Sequence, residues 1–149
     1  MKRLFKKYNY LAILLFLSVS LTCCKLDTSH NGKLDGYWKL CTIDDLTLGE
    51  VTDLTEKSIF WAVEKDLLVA RDNDESPEYV FRFSQSDSEL TLRDGQRYNK
   101  KSGNETVSDI SVLYKYGIYS QPITYRIDEL SRSKMMLSTD DIRLNFKKF

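Results

Sequence analysis

From residue 36 to the end of the chain, apolar side chains recur at every second position in a series of short runs. The clearest of these runs are 58–64, 78–84, 122–128 and 141–149. Because successive side chains of a β-strand point to opposite faces of a sheet, this period predicts strands with one buried face. No stretch keeps the 3.6-residue period of an amphipathic helix over several turns. The sequence therefore predicts an all-β domain.

Short polar stretches separate the runs and predict turns. The links at 65–66 and 139–140 are short enough for hairpins, and Asp94-Gly95 is expected to end another strand. Strands joined in sequence order by turns favour an antiparallel up-and-down barrel of about eight to nine short strands. Closure of such a barrel removes the free strand edges that invite association.

Two strands receive residue-level predictions. In the first strand, Trp38, Leu40 and Thr42 should face inward, and Ile43 should face outward. Segment 111–118 is predicted as a later strand, because its apolar residues also alternate. One face of that strand would carry Val112, Tyr114, Tyr116 and Ile118.

Two longer polar segments interrupt the alternation. Segment 44–57 carries apolar residues at loosely helical spacing and is expected to form a short helix or a lid. Segment 96–108 is polar and contains two adjacent lysines, so it is expected to be an exposed loop.

The N-terminal residues have a different character. Four basic residues lie within the first seven positions, and the apolar run 11–17 follows them. A charged start, a short apolar centre and small residues near a cleavage site are typical of a secretory signal peptide. The run is shorter than the roughly 20 apolar residues that a membrane-spanning helix needs. An ordinary cleaved signal and an N-terminal membrane helix are the alternatives.

The end of this leader, Leu21-Thr22-Cys23-Cys24, resembles the lipobox of bacterial lipoproteins. The resemblance implies cleavage before Cys24, thioether lipidation of Cys24 and acylation of the new amino terminus, with palmitate as an expected acyl chain. Several acyl chains give firm membrane anchoring, whereas a single chain is marginal.

This interpretation divides the chain into a lipoprotein signal peptide (1–23), a polar lipidated tether (24–35) and the barrel domain (36–149). The protein is then expected in the cell envelope, anchored by lipid to a bacterial membrane, with the outer membrane favoured. The periplasmic and surface faces of that membrane both stay open.

Charge and reactive side chains narrow the function. The leader holds four of the 22 basic residues and none of the 22 acidic ones, so the remaining chain has a formal net charge of −4. This balance argues against nucleic acid as a partner. Without the leader and a lipidated Cys24, Cys41 is left alone and forms no intrachain disulfide. We interpret Cys41 as a small core or half-buried strand residue.

No catalytic or metal-binding motif is recognisable in the sequence. The one histidine, His30, lies in the predicted tether, so the domain has no histidine to serve as a general base. His-Glu-x-x-His, Gly-x-Ser-x-Gly and phosphate-loop patterns do not occur. We therefore expect neither enzymatic activity, nor a cofactor, nor a metal site.

A family resemblance appears at the first strand of the domain. Gly36-Tyr37-Trp38 matches the Gly-x-Trp of lipocalins, and the wider spacing is similar to bacterial lipocalin-like lipoproteins. The resemblance implies a lipocalin-like barrel with structural roles for Gly36 and Trp38. It also implies that a basic side chain near the last strand, Arg143 or Lys147, covers the Trp38 ring by a cation–π contact.

A barrel of about eight strands holds one small ligand or is filled by its own side chains. Aromatic residues suit a small apolar or amphipathic ligand, and the same residues also suit a filled core. The candidate ligand-binding residues are Trp38, Trp61, Tyr79, Phe81, Phe83, Tyr114 and Tyr125, with Tyr116 beside them.

The alternative is an interaction, assembly or inhibitor lipoprotein without catalytic activity. In that case the exposed segments 44–57 and 96–108 would dock a protein partner in the envelope.

Overall fold

The structure is a computed structural model and describes residues 29–75 and 77–149. Cys24 and the leader lie outside these residues. Two short 3₁₀ helices are present, Gly32–Leu34 and Ile110–Tyr116. The strands are β1 (Gly36–Asp45), β2 (Val51–Asp53), β3 (Ile59–Glu64), β4 (Leu67–Asp72), β5 (Tyr79–Gln85), β6 (Glu89–Arg97), β7 (Glu105–Thr106), β8 (Ile123–Leu130), β9 (Lys134–Ser138) and β10 (Ile142–Lys148).

Eight of these strands form a closed antiparallel barrel within the described residues. Their order is β1, β3, β4, β5, β6, β8, β9 and β10, and the pairing of β10 with β1 closes the sheet. The short strands β2 and β7 are additions that pair with β1 and β6. The predicted up-and-down barrel is confirmed.

The two ends of the barrel differ in what they carry. The turns β3–β4, β5–β6 and β8–β9 lie at the end where β1 begins, which we call the base. The loops that follow β1, β4, β6 and β9 lie at the opposite end, which we call the mouth. No helix of the described residues is long and apolar enough to cross a membrane.

Two-residue alternation accounts for most of the core. Ile59, Trp61 and Val63 of β3 are buried in it, as predicted. β10 behaves in the same way, because its even-numbered residues from Ile142 to Phe146 face inward. The hairpin turns after β3 and β9 also lie where the sequence predicts them.

A β-bulge in β1 overturns one prediction. Leu40 pairs with Phe146 and Thr42 pairs with Asn145, so Cys41 is an extra residue in the ladder. One extra residue reverses which face every later side chain occupies. Ile43 is therefore buried in the core, and Thr42 lies on the outer face. The prediction of Thr42 inward and Ile43 outward was wrong.

The predicted strand at 111–118 is also wrong, because the chain forms a 3₁₀ helix there. Three residues per turn place Ile110, Leu113 and Tyr116 on one side, whereas a strand would have grouped alternate residues. The Asp109 side chain accepts a hydrogen bond from the Ser111 amide at the start of the helix. The helix ends at Gly117, whose φ of 80° is a left-handed conformation that glycine adopts without strain.

The two interrupting segments differ from their predictions in detail. Segment 44–57 contains the short strand β2 instead of a helix or lid. Asp94-Gly95 does not end a strand, because β6 continues through it to Arg97. A Cβ at Gly95 would lie 2.3 Å from the Gln121 side-chain oxygen, so only glycine lets the two segments approach this closely. The rest of 96–108 is exposed apart from short pairing by β7.

Candidate functional site

The barrel interior contains five of the predicted ligand-binding aromatics. Trp38, Trp61, Phe81 and Tyr125 are fully buried, and Tyr79 is 6% exposed. The Trp61 ring centroid lies 5.9 Å from that of Tyr125 in an edge-on contact. These side chains fill the described part of the core together with aliphatic residues.

The remaining two predicted aromatics lie elsewhere. Phe83 is half-buried and packs against the edge of the core. Tyr114 is 43% exposed and stacks on Tyr119, with ring centroids 4.9 Å apart. The 3₁₀ helix turns Tyr114 away from the interior, so its assignment to a ligand site inside the barrel was wrong.

The base is closed by residues 29–35, which we call the base segment. Leu34 is fully buried, and its carbonyl accepts a 2.7 Å hydrogen bond from Trp38 Nε1. Asn31 Nδ2 donates to the Lys65 carbonyl at 2.6 Å, which ties the segment to the β3–β4 turn. The sequence places these residues in a tether, but the structure packs them against the barrel. His30 is exposed.

A lysine covers the Trp38 ring, but neither residue that the resemblance implied supplies it. Lys148 Nζ lies 4.7 Å from the ring centroid and donates to the Asp35 carbonyl at 2.6 Å. Lys148 continues the even-numbered inner face of β10, whereas Arg143 and Lys147 belong to the outer face. Arg143 instead lies 3.8 Å from the Asp128 carboxylate.

Gly36 leaves the space that this lysine occupies. Its φ is 122°, and a Cβ built there would lie 2.7 Å from Lys148 Cε. A side chain at this position would therefore be strained and would also push the lysine off the indole ring.

The mouth is filled by residues 110–118, which we call the plug. Leu113, Tyr116 and Ile118 are fully buried, and the Tyr116 ring contacts Tyr79 at a centroid distance of 5.7 Å. The Gly117 carbonyl accepts a 2.7 Å hydrogen bond from Tyr125 Oη. The plug thus occupies the part of the barrel that a ligand entering from the mouth would reach first.

One ion-pair cluster holds the plug to the barrel. Lys115 Nζ lies 3.0 Å from an Asp72 oxygen and 2.6 Å from a Glu75 oxygen. Partial burial lowers the pKa of Lys115, but hydrogen bonds from Glu75 and Asp72 outweigh it and raise that pKa well above its usual range. Burial raises the pKa of the neighbouring Tyr116 hydroxyl to about 12.

Two buried polar atoms at this end of the barrel have no hydrogen-bond partner within the described residues. They are Trp61 Nε1 and Tyr116 Oη, and both residues are fully buried. Trp38 and Tyr125, the matching residues elsewhere in the interior, both donate to backbone carbonyls. Sequence reasoning placed Trp61 and Tyr116 among the candidate aromatics, but no sequence signal marks which indole or hydroxyl is left without a partner.

Exposed apolar side chains gather around the mouth. Leu48 is 72% exposed and Val51 is 64% exposed, and Tyr119 lies close enough to Asp45 to feel its charge. The exposed apolar residues of this rim are Leu46, Leu48, Val51, Val112, Tyr114 and Tyr119. The described residues contain no group of three His, Cys, Asp or Glu side chains that would hold a metal ion.

Comparison with known proteins agrees with this architecture. The chain is similar to a lipocalin-like protein from Bacteroides uniformis ATCC 8492, with a TM-score of 0.61 and 20% identity over 79% of this chain and 100% of that chain. An uncharacterized protein from Bacteroides eggerthii DSM 20697 has a TM-score of 0.56 and 19% identity, over 77% of this chain and 98% of that one.

At these identities the two structures establish the fold alone. None of the curated proteins is significantly similar to the chain in sequence. A family model, described as "Lipocalin-like domain", matches residues 19–149, which is most of the sequence. The chain belongs to the lipocalin-like domain family.

Proposed function

We propose that the chain is a non-catalytic binding protein that holds a small apolar or amphipathic molecule in the barrel, beneath the plug. A lipocalin-like fold suggests a ligand-binding barrel. The observation that carries the proposal for this chain is that the mouth is filled by a separate segment, Ile110–Tyr116 and the two residues after it, and not by barrel strands.

The plug is attached in a way that allows it to open. It lies outside the sheet ladder, and its described ties to the strands include the Tyr125–Gly117 hydrogen bond and the partly exposed ion pairs of Lys115. Exposed ion pairs contribute little to stability, about 0–1 kcal/mol each. Outward movement of Leu113 and Ile118 would uncover an apolar cup, so a ligand of similar surface would replace the contacts that the plug gives up.

Tryptophan fluorescence tests this proposal, because both tryptophans lie in the barrel. The full chain in lipid nanodiscs is titrated with fatty acids, bile-acid-like amphiphiles and aromatic metabolites. We expect a saturable change in emission for at least one class. If no compound changes the emission, the proposal of a ligand in the barrel is rejected.

A Trp61→Phe variant locates the ligand. Its remaining indole, Trp38, is at the base and is shielded by Leu34 and Lys148. A ligand beneath the plug should change the emission of the parent protein but leave that of the variant nearly unchanged. An equal response in both proteins would place the ligand at the base and contradict the proposed site.

We also propose that Cys24 is lipidated and anchors the protein in the bacterial cell envelope, favouring the outer membrane. The Leu21-Thr22-Cys23-Cys24 sequence supports this proposal. Ser29 bonds to the base, where its Oγ accepts from the Lys65 amide at 2.9 Å. The five residues from Cys24 to Ser29 reach at most about 17 Å when extended. The base would then face the bilayer and the mouth would face away from it.

Mass spectrometry and labelling with a palmitate analogue test the anchor. The processed protein should begin at a Cys24 that carries acyl chains, and Cys24→Ser should remove the label and release the protein from membranes. A Cys23→Ser variant is the matched control and should keep the label. An unmodified Cys24 in the processed protein would reject the anchor.

Docking of an envelope protein is the second candidate function, favoured by the exposed rim at the mouth. Leu48 and Val51 project beside Asp45, Glu50 and Asp53, so the partner would have a basic surface with apolar side chains. Hydrogen bonds from Thr47 and the Leu48 amide hold the pKa of the Asp45 carboxyl below its usual range, which keeps this loop anionic.

Cross-linking in membranes tests this second function. A partner that docks on the rim should be lost from a Leu48→Ser, Val51→Ser double variant, while ligand titration of the barrel is unchanged. A partner retained by the double variant does not use this surface. A Phe149→Ser variant at the base is the matched control, because Phe149 is also exposed.

A further inference from the structure

The interior of the barrel treats its polar aromatic atoms in two ways. Trp38 Nε1 and Tyr125 Oη each donate a 2.7 Å hydrogen bond to a backbone carbonyl. Trp61 Nε1 and Tyr116 Oη have no partner, although both residues are fully buried. A buried donor without a partner is unfavourable, and native proteins rarely keep one without a reason. Two such donors at the same end of the interior point to a missing acceptor.

The strand register places these two residues around one small side chain. Trp61 pairs with Ala70 across β3 and β4, and Ala70 pairs with Tyr79 across β4 and β5. The Tyr79 ring contacts that of Tyr116, with centroids 5.7 Å apart. Ala70 is the smallest of the buried apolar residues that form the described core. The wall between the indole and the plug is therefore the part of the interior with least side-chain volume.

The chemistry of the two atoms selects the ligand group. An indole N–H only donates, and a neutral tyrosine hydroxyl donates as well. Burial raises the pKa of Tyr116 to about 12, so its hydroxyl stays protonated near neutral pH. The core cluster contains no charged side chain among the described residues, so an ionised ligand group would lie there without a counter-ion.

Resting on the proposed barrel function, we infer that the wall over Ala70 binds a neutral, flat apolar molecule through a single carbonyl-type oxygen. Trp61 Nε1 and Tyr116 Oη both donate to this oxygen, and the apolar body packs against Tyr79 and Tyr125. The plug opens to admit the molecule and closes with Tyr116 on the oxygen.

Two probes of the same shape test the inference. 9-Fluorenone carries a ketone, and fluorene has a methylene group in its place. Their dissociation constants are measured by calorimetry on the full chain in nanodiscs, with empty nanodiscs as the blank. We expect fluorenone to bind about tenfold more tightly than fluorene, since one satisfied buried hydrogen bond is worth about that factor.

Variants separate the hydrogen bonds from the shape of the site. Trp61→Phe and Tyr116→Phe should each weaken fluorenone binding severalfold and leave fluorene binding nearly unchanged. Tyr125→Phe is the control, because its hydroxyl already bonds to the Gly117 carbonyl and should not discriminate between the probes. Thermal unfolding confirms that each variant is folded. If Trp61→Phe does not fold, Tyr116→Phe alone decides, since it removes a single oxygen atom.

The ketone stretch of bound fluorenone gives a readout that a packing role would not change. It should shift to lower wavenumber in the parent protein and return toward its value in apolar solvent in Tyr116→Phe. Equal affinity for the two probes, or an unshifted stretch, overturns the inference but leaves the barrel function intact. Binding of neither probe also overturns it. If the amphiphile panel fails as well, the proposed function falls with it.

Discussion

The base and the mouth of this barrel are closed by similar parts and held in different ways. Each end has a short 3₁₀ helix that buries a leucine, Leu34 at the base and Leu113 at the mouth. At the base, Trp38 Nε1 has its carbonyl partner and Lys148 covers the ring. At the mouth, Tyr116 Oη has no partner.

The difference matters because of what an unpaired buried polar group costs. A satisfied hydrogen bond adds about 0.5–1.5 kcal/mol to stability, whereas a buried group left unpaired costs about 1–3 kcal/mol. The base therefore contributes to the stability of the fold, and the mouth reduces it. An end that is closed at a cost is the end that opens for a ligand, and the following substitutions test this assignment.

Truncation of the base tryptophan should have the largest effect. Trp38→Ala removes a fully buried indole, its hydrogen bond to Leu34 and its contact with Lys148. We expect the free energy of unfolding to fall by about 3–5 kcal/mol. Urea unfolding followed by circular dichroism measures this loss.

The matched substitution at the mouth is Leu113→Ala. We expect it to cost less than Leu34→Ala at the base, because the plug can shift into the space that the side chain leaves. If Leu113→Ala costs as much as Leu34→Ala, the mouth is as firmly built as the base and the plug does not open easily.

Removal of single hydroxyl groups gives a finer comparison. Tyr125→Phe breaks the hydrogen bond to the Gly117 carbonyl and leaves that carbonyl without its donor, so we expect a loss of about 2 kcal/mol. Tyr116→Phe removes a hydroxyl that has no partner and should be neutral or stabilising. Urea unfolding of both variants without ligand measures the two changes. Destabilisation by Tyr116→Phe would show that its hydroxyl has a partner.

Much of the fold could be predicted because alternation records which strand face is buried. The runs that became β3, β5 and β10 kept that alternation, so their inner residues followed directly. The bulge at Cys41 could not be predicted in this way, since it depends on how β10 pairs with β1. An extra residue leaves no mark in the hydrophobic pattern of its own strand.

The candidate site was predicted less completely than the fold. The aromatic content identified Trp61, Tyr79 and Tyr125 as interior residues, and the structure places them there. The plug was mistaken for a strand, because Tyr114 and Tyr116 fit both a two-residue and a three-residue period. Which donor lacks a partner depends on carbonyls from distant segments, so only the three-dimensional structure reveals it.

Loss of the lysine at the base should have a moderate effect. Lys148→Met keeps an apolar side chain over Trp38 but removes the charge and the hydrogen bonds to the Lys33 and Asp35 carbonyls. We expect a loss of about 1–2 kcal/mol in the free energy of unfolding. Lys147→Met is the control on the outer face and should change stability little. Equal losses in both variants would show that the lysine at 148 has no special role.

Alkaline pH should weaken the mouth with the smallest effect of this series. Burial raises the pKa of Tyr116 to about 12, the positive charge of Lys115 partly opposes this, and Asp72 and Tyr79 add to it. A tyrosine in the unfolded chain ionises near pH 10. A pKa raised by folding stabilises the protein below about pH 10, and this stability is lost as the pH rises toward about 12. At pH 11 the loss from this group is about 1 kcal/mol.

Urea unfolding of the parent and of Tyr116→Phe at pH 8, 10 and 11 measures this contribution. The variant should lose less stability between pH 10 and 11, because its mouth has no hydroxyl at position 116 to ionise. Tyr119→Phe is the control at the rim, since Tyr119 is 41% exposed and water screens its ionisation. If Tyr116→Phe loses as much stability as the parent, another buried tyrosine dominates. Burial raises the pKa of Tyr125 well above its usual range, so Tyr125→Phe would then show the smaller alkaline loss.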